Sequence, residues 1–491
     1  MEFDLTGEKP SKYLLAFGIL LLFSSVIISD LGLDSHVLMA VEDGALPWGH
    51  TRNIDPLASD QSYAPQYYER ADVIFGILDS EIKLKSFVLL SSLILIIVVG
   101  FHGFTNYNSD EKKQFDYFSA SIIALYPAFI FATGRGYLEV PIALIFLLSH
   151  SNFLKNSSHR ISSPYHIFIL GGLGVTAIAW IKGITVLVGI AWLMLLICVE
   201  YISKKLDVNK KIQSMVILNV VSIIAIVTLL TFDHNSISKS LLFSFAAIVD
   251  IFIFLAVGLC LIGIFTSKQN FKDCLTENYS AMIIVNVVVL GCIYWIADLW
   301  LTEAKIWDTS GIKIFFILGN NGRYVTLIAP FLIILTSNFR KLNHLEMKSK
   351  IMTVNLCLIL ILSSLAGFHG QKMWTDEAAD SIAESLVDGE DFLLIHEPDL
   401  AMHWLYTMHS ELSNSHPNSV GHWRAPSSGF EAELNGQEIE NRGNLSEVSF
   451  LVIQPGLDIE ISEDWQLVDS GKSPLIMGAD EWLIYEISLK I

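Results

Sequence analysis

The stretch YLLAFGILLLFSSVIISDLGLDSHVLMAVEDG, residues Tyr13–Gly44, decides how this chain has to fold. Its first part, Tyr13–Ser29, carries no charged side chain and approaches the ~20 apolar residues that a helix needs to cross a bilayer core of about 30 Å. It lacks a small-residue cleavage site and runs directly into acidic residues. It therefore predicts a retained first membrane span and not a signal peptide.

Similar apolar stretches recur through the first three quarters of the chain. Hydrophobic residues make up 52% and charged residues only 16% of the 491 residues, whereas about a quarter of a soluble domain is charged. We predict a polytopic α-helical membrane protein of about eleven spans. Their centres fall near residues 21, 93, 124, 145, 172, 192, 222, 253, 290, 330 and 360.

The charge is distributed very unevenly along the chain. From Gly370 onward there are 23 acidic and 5 basic residues, whereas the first 369 residues hold 27 and 26. We therefore predict a transmembrane domain over residues 1–369, with residues 30–85 as a long first outer loop, and a small acidic domain over residues 370–491. An acidic domain argues against a nucleic-acid partner, which would require a basic face.

The acidic domain has the pattern of an α/β fold. TDEAADSIAESLVDG and DLAMHWLYTMHSEL have helical spacing, and DFLLIHE, VSFLVIQP and EWLIYEISL are typical of strands. All five cysteines lie in or beside predicted spans, so they predict core packing and no disulfide framework.

The basic residues predict the orientation. With the N-terminus inside, the inner segments hold 16 Lys and Arg residues and the short outer loops hold six. By the positive-inside rule the N-terminus is cytoplasmic and the C-terminal domain extracytoplasmic. We expect the plasma membrane as the location.

Acidic residues follow the first span directly. If the span continues as a helix, Asp30 and Asp34 lie on one face at the outer surface, either as solvated interfacial caps or as a general base. Glu42 is a third candidate. His36 and His50 could extend the site or bind a divalent cation, but no His pair has the spacing of metal ligands on a helix, so we expect no metal and no cofactor.

Basic residues mark the outer ends of three later spans. Lys182 interrupts the apolar run LGGLGVTAIAWIKGITVLVG, where it either snorkels to the interface or meets an anion. Arg323 follows the helix-breaking GNNG, and a break at membrane depth usually lines a cavity. Arg135 and Glu139 in TGRGYLEVP form either a salt-bridged turn or part of a site. Together the cations predict a pocket for the phosphate of a lipid carrier.

A carboxylate base and several cations close to acyl chains are the groups needed to displace a lipid phosphate from a sugar. The base removes a proton from an acceptor hydroxyl, the hydroxyl attacks the anomeric carbon, and the cations hold the departing phosphate. The sequence has no P-loop and no nucleotide-sugar loop, which fits a donor that arrives through the membrane.

At this point the sequence resembles the GT-C superfamily of membrane glycosyltransferases, in the branch of the dolichyl-phosphate-mannose protein mannosyltransferases and aminoarabinose transferases, with archaeal members most similar. Three stretches carry the resemblance, over roughly residues 12–370: GLDSHVLMAVEDG, GLGVTAIAWIKGITVLV and GRYVTLIAPFLIIL. The resemblance implies an inverting enzyme without a metal. Its donor would be a polyprenyl (dolichyl) phosphate-linked monosaccharide, and its acceptor a protein, glycan or lipid hydroxyl.

The resemblance also implies roles for single residues. Asp34 matches the catalytic acid, and Lys182 and Arg323 match residues that contact the lipid phosphate. Beyond the resemblance, we expect Arg135, Glu139, Tyr324 and His36 to bind the substrate or its lipid phosphate as well. The acid that usually follows the catalytic Asp is Ser35 here, so either Asp34 acts alone or Asp30 or Glu42 supplies a second carboxylate.

Two other classes of protein remain as alternatives. A secondary transporter or lipid flippase would use Asp250 in SFAAIVDIFIFLAVG, an acid inside a predicted span. Transporters, however, gather polar groups at the midplane and show internal repeats, whereas the charges here lie at the outer ends of spans. A non-enzymatic surface or assembly protein would explain only the acidic domain. Asn444 in NLS is a possible glycan acceptor.

Overall fold

A computed structural model describes most of the chain. The described residues are 8–36, 74, 76–102, 115–154, 164–182, 184–259, 268–306, 319–342, 349–370, 372–397, 401–412, 415–437, 445, 447–473 and 479–488. They belong to two compact units. The first comprises Met1–Ile28 with Lys85–His369, and the second comprises Ser29–Leu84 with Gly370–Ile491.

All regular elements among the described residues of the first unit are helices. Its α-helices, in chain order, are α1 (Glu8–Ile28), α2 (Glu81–His102), α3 (Tyr117–Ala124), α4 (Pro127–Gly134), α5 (Glu139–His150), α6 (Pro164–Ile181), α7 (Leu187–Ser203), α8 (Val208–His234), α9 (Ile237–Leu259), α10 (Lys268–Glu277), α11 (Tyr279–Ile306), α12 (Ala329–Leu342) and α13 (Ser349–Phe368). The part of α2 that belongs to the first unit begins at Lys85. Two 3₁₀ helices are also described: Ser151–Leu154 follows α5, and Gly319–Leu327 precedes α12.

Several of these helices have the length and composition of membrane spans. Among the described residues, α1, α2, α8, α9 and α11 are long and apolar enough to cross a bilayer, and α3 and α4, bent by 59° at the break between them, form either one broken span or a re-entrant loop. The apolar stretches of α5, α6, α7, α12 and α13 are shorter, at 10–17 residues. All eleven predicted span centres fall within these helices, and the polytopic helical fold class is confirmed.

Side chains on the outside of the helices are apolar, as lipid contact requires. On α8 the side chains of Val216, Ile217, Val220, Val221 and Ile224 are all exposed. Only a small part of this helix is buried within the protein. Because a continuous apolar face of this size would be unfavourable in water, it identifies the chain as a multi-pass membrane protein.

Small residues let α1 pack closely against its neighbours. A Cβ placed on Gly18 would lie 2.7 Å from the Cβ of Ala124, and one placed on Gly134 would lie 1.9 Å from Oγ of Ser25. The Ser25 hydroxyl donates a hydrogen bond of 3.3 Å to the carbonyl of Ala366. Membrane helices usually associate through close backbone approach at small residues, because in lipid there is no hydrophobic driving force between helices.

The second unit contains a small α/β domain. Its elements are α14 (Trp374–Ala383), β1 (Asp391–Ile395), α15 (Ala401–Leu412), β2 (Gly421–Arg424), a 3₁₀ turn (Pro426–Ser428), α16 (Phe430–Leu434), β3 (Val448–Ile453), β4 (Trp465–Lys472) and β5 (Glu481–Ile487). The sheet order is β2-β1-β3-β5-β4. Strand β1 pairs in parallel with β2 and β3, whereas β5 pairs antiparallel with β3 and β4.

The predicted helices and strands of this domain are confirmed, but two strands were missed. The strand β1 is buried at every position and forms a core with β3 that includes Leu393, Leu451 and Phe430, which is why its apolar pattern was readable. Strand β2 has only four residues. Strand β4 is a mostly exposed strand at the sheet edge, so its polar sequence did not show the alternation that predicts a strand.

Candidate functional site

A buried carboxylate with two cations lies at the helix ends of the first unit. The Glu139 side chain is 4% exposed, and its Oε1 accepts a hydrogen bond of 2.8 Å from Nζ of Lys182. The Arg323 side chain is also 4% exposed, and its Nε lies 3.9 Å from the same oxygen. One carboxylate therefore acts on both predicted phosphate-binding cations.

The local sequence explains why these three residues meet. Glu139 is the first residue of α5, and Lys182 directly follows the last residue of α6. Arg323 belongs to the 3₁₀ helix Gly319–Leu327 that leads into α12. The predicted interruption at GNNG is thus confirmed, since the segment is not α-helical. The ends of these apolar segments lie close to one another, and the three charged side chains at those ends therefore meet.

Two tyrosine rings complete the cluster. The guanidinium carbon of Arg323 lies 3.7 Å from the ring centroid of Tyr137 and 5.6 Å from that of Tyr324. Lys182 Nζ lies 5.1 Å from the Tyr324 ring. Both distances to Tyr324 and the close contact to Tyr137 are within the range of cation–π attraction. Tyr137 was missed by the sequence analysis, although it lies within the quoted TGRGYLEVP.

The cluster combines one acidic and two basic side chains. Glu139, Lys182 and Arg323 are all largely buried, and the most exposed of the three, Lys182, has a side chain only 19% exposed. Two cations are therefore held together at the same helix ends, next to the carboxylate of Glu139.

Arg135 has a different setting. It is the C-cap residue of α4, where a cation interacts favourably with the helix dipole. It is buried, and its charge acts on the ring of His369. Arg135 thus interacts with the C-terminus of α4 and with the ring of His369. Its predicted role in substrate binding stays a prediction.

The structure corrects one expectation about the acids after the first span. Helix α1 ends at Ile28, and the described residues are helical again only from Leu33 to His36. The expectation that Asp30 and Asp34 share one face of a continued helix is wrong. Asp30 Oδ2 instead accepts a hydrogen bond of 2.8 Å from the backbone N–H of Met373, the N-cap residue of α14, so Asp30 satisfies a donor at a helix N-terminus.

Asp34 lies beside a buried histidine of the same unit. The Asp34 residue is half-buried, and its charge acts on His403 of α15. Burial lowers the pKa of His403 to about 4, although the Asp34 carboxylate partly opposes this shift. His403 is therefore neutral at pH 7. The sequence analysis assigned the segment around His403 to a helix but did not single out this residue.

A second group of ionisable residues includes His36. Its Nε2 lies 3.7 Å from Oδ2 of Asp376, and Glu411 offers a carboxylate oxygen to the same group. Partial burial and the neighbouring carboxylates of Glu81, Asp380 and Asp30 raise the pKa of Glu411 to about 7. Negative charge is therefore concentrated around Glu411.

Some predicted residues lie outside the part of the chain that the structure describes. These are Glu42, His50 and Asn444. Asp250, the residue of the transporter alternative, is buried within α9.

Comparison with known proteins gives few matches. Neither a protein-family model nor a curated protein matches the sequence. Two solved structures are similar. The first is the crystal structure of ArnT from Cupriavidus metallidurans bound to undecaprenyl phosphate, with a TM-score of 0.36, 12% identity and 98% of each chain covered. The second is the crystal structure of the same protein in the apo state, with a TM-score of 0.35, 13% identity, and coverage of 96% of this chain and 97% of that chain. TM-scores this low do not establish a common fold, so the function has to follow from the residues of this chain.

Fold and site together define a class of protein. The chain is a multi-pass membrane protein with a small α/β domain. Among its described residues, two largely buried cations and the carboxylate of Glu139 lie together at the ends of apolar helices. Asp34, a half-buried carboxylate, follows the last residue of α1 by six positions in the sequence.

Proposed function

We propose that this protein transfers a sugar from a polyprenyl phosphate-linked monosaccharide to an acceptor hydroxyl at the outer face of the membrane. The observation that carries the proposal is the cluster of Lys182, Arg323 and Glu139. A site for a lipid-borne phosphate has to combine fixed positive charge with access to acyl chains, and helix ends in an apolar bundle provide both.

The charge of the cluster suits the leaving group. In the donor, the phosphate bridges lipid and sugar and carries one negative charge. When the bond between the anomeric carbon and the phosphate oxygen breaks, the electron pair stays on that oxygen and the charge rises toward two. Lys182 and Arg323 therefore stabilise the departing phosphate more than the bound donor, which is the condition for accelerating the reaction.

Glu139 and Tyr137 act as positioning residues in this proposal. The carboxylate of Glu139 holds the Lys182 ammonium, and the Tyr137 ring supports the plane of the Arg323 guanidinium. Cations that are already in place when the donor binds do not have to be reorganised during the reaction, and such preorganisation is a large part of electrostatic catalysis.

Asp34 is the proposed general base. The acceptor hydroxyl gives its proton to the Asp34 carboxylate as its oxygen forms a bond to the anomeric carbon from the side opposite the phosphate, so the configuration inverts. A positioned base contributes about 10²–10⁴-fold to such a step. His403 lies near Asp34 as a neutral imidazole. Because Ser35 stands where a second acid is expected, we assign the proton transfer to Asp34 alone.

The finer assignment rests on the sequence resemblance to the mannosyltransferase and aminoarabinose transferase branch of the GT-C superfamily. It favours a dolichyl-type carrier with mannose or a related sugar, and protein glycosylation as the process. It also favours the plasma membrane, with a cytoplasmic N-terminus and an extracytoplasmic C-terminal domain.

The test is an assay of purified full-length protein in lipid nanodiscs with radiolabelled polyprenyl-phosphate hexoses and peptide, glycan or lipid acceptors. We expect release of polyprenyl phosphate together with labelled acceptor, and a loss of about 10²–10⁴-fold in kcat for Asp34→Asn. Asp30→Asn is the matched control, because an amide oxygen can still accept the Met373 hydrogen bond and activity should persist.

Two results would contradict the proposal. Equal turnover by the wild type and Asp34→Asn would transfer the role of base to Asp30 or Glu42. No turnover with any donor, together with ion-coupled flux that is lost in Asp250→Asn, would make the chain a transporter. That alternative is supported by the burial of Asp250 within α9, since intramembrane acids often mark ion paths.

A further inference from the structure

Three potential metal ligands converge in the second unit from distant parts of the sequence. His36 lies in the helical stretch 33–36, Asp376 in the first turn of α14 and Glu411 near the end of α15. One ligand atom from each residue lies within 4.8 Å of the others. The sequence predicts no metal because no His pair has the spacing of metal ligands on a helix, and the two carboxylate partners of His36 are more than three hundred residues away in the chain.

The distances fit shared coordination. Nε2 of His36 and Oδ2 of Asp376 are 3.7 Å apart, which is longer than a hydrogen bond. Two ligands at the usual zinc distances of about 2.0–2.2 Å are about 3.4 Å apart in a tetrahedral site. Only a small adjustment would therefore place both atoms on one ion. The His36 side chain is 2% exposed, so its ring is held within the protein and does not extend into solvent.

The surrounding charge favours a cation. The carboxylates of Glu81, Asp380 and Asp30 act on Glu411, and Asp376 belongs to the same group of ligand atoms. Bringing so many carboxylates together is unfavourable in the absence of positive charge, and a divalent cation would compensate for two of them. The group also differs from an ordinary acidic surface because it contains a buried imidazole.

We propose that His36, Asp376 and Glu411 bind one Zn²⁺ ion. One imidazole and two carboxylates match the donor atoms that zinc accepts, whereas Mg²⁺ and Ca²⁺ prefer oxygen ligands alone. Three protein ligands leave a fourth position for water or another ligand. The ion would join the turn that carries Asp34 to α14 and α15, so that the position of the proposed base depends on the metal.

The first measurement is the metal content of the full-length protein in nanodiscs. The protein is stripped with EDTA, incubated with ZnCl₂, desalted and analysed by inductively coupled plasma mass spectrometry. We expect about one zinc ion per chain for the wild type, and at least a fivefold lower content for His36→Ala and Glu411→Gln. Glu377→Gln is the matched control, because Glu377 is an exposed neighbour of Asp376 that does not belong to the group; it should retain wild-type zinc.

A second measurement guards against misfolded variants. Each variant is first shown to be monodisperse, and its thermal unfolding is recorded with and without zinc. Zinc should raise the midpoint for the wild type and Glu377→Gln only, since a ligand that binds the folded state stabilises it. Substoichiometric zinc in well-folded wild type, or equal zinc content in Glu377→Gln and Glu411→Gln, would overturn the proposal. Both measurements are made without donor or acceptor, so their outcome is independent of the proposed transferase activity.

Discussion

Lys182 Nζ donates a hydrogen bond of 2.8 Å to Oε1 of Glu139, the first residue of α5. Arg323 Nε lies 3.9 Å from the same oxygen. A single carboxylate therefore holds two cations that would otherwise repel each other, in a region where all three side chains are largely buried. Removing this carboxylate should have a larger effect than removing either cation.

Replacement of Glu139 by Gln tests this relationship. The amide carries no charge, so both largely buried cations lose their attraction to the Glu139 carboxylate. Breaking a buried ion pair from one side costs about 3–5 kcal/mol, and we expect a clearly lower thermal unfolding midpoint in nanodiscs. The control is Glu8→Gln, which removes the exposed pair with Lys12 and should cost less than about 1 kcal/mol. Equal effects of the two variants would show that Glu139 does not stabilise the cluster.

The stacking of Arg323 on Tyr137 gives a second prediction. The 3.7 Å separation means that the face of the ring supports the guanidinium. Tyr137→Phe keeps that face, and its KM for the donor should remain within about twofold of wild type. Tyr137→Leu loses the cation–π attraction, worth about 1 kcal/mol, and its KM should rise about fivefold with a smaller change in the acceptor KM. The same KM for both variants would contradict the role of the ring.

These contacts mark the limit of what the sequence shows. The spans follow from local hydrophobicity, and the unusual positions of Lys182 and Arg323 between apolar runs are also visible locally. The pairing of Glu139 with Lys182 and the support of Arg323 by Tyr137 depend on which helix ends meet. That arrangement is determined by packing between segments far apart in the chain, for which a single sequence has no local signal.

The acids after the first span show the same limit. Their spacing of four residues suggested a shared helical face, but this inference assumed that α1 continues beyond Ile28. The actual partner of Asp30 is the backbone of Met373. His403 and the ligands Asp376 and Glu411 could not be connected to the first outer loop either, because the C-terminal segment contains many other acids and histidines.

His403 should make the stability of the protein sensitive to acid. Burial lowers its pKa to about 4, from an ordinary value of 6.5. Below pH 6.5 the unfolded chain therefore binds a proton that the folded protein does not, so stability is lost as the pH falls from about 6.5 to 4 and is fully present above 6.5. The loss is on the order of 3 kcal/mol.

Thermal unfolding of the zinc-free protein between pH 4 and 8 measures this effect. We expect His403→Gln to unfold with a smaller decrease of the midpoint between pH 6.5 and 4 than the wild type. His416→Gln, which replaces a histidine that is not buried, should follow the wild-type curve. If His403→Gln and the wild type have parallel curves throughout, the imidazole is not the group responsible.

The C-terminal domain contains a buried ion pair that gives the last prediction. Arg424 at the end of β2 donates from Nε and Nη2 to Oε2 of Glu433 on α16, at 2.9 and 2.7 Å, and both side chains are 2% exposed. Glu433→Gln removes the negative charge to which the guanidinium donates and should destabilise the domain by about 3 kcal/mol. The double variant Arg424→Met/Glu433→Leu should regain most of that loss, because apolar residues of similar volume avoid the desolvation of two charges.

Hydrogen exchange of the β1 and β3 amides in the full-length protein reports the local stability, and Glu431→Gln on the exposed side of α16 is the control. If the double variant is less stable than Glu433→Gln, the ion pair is itself a net source of stability for this sheet, and its replacement by apolar packing is not equivalent.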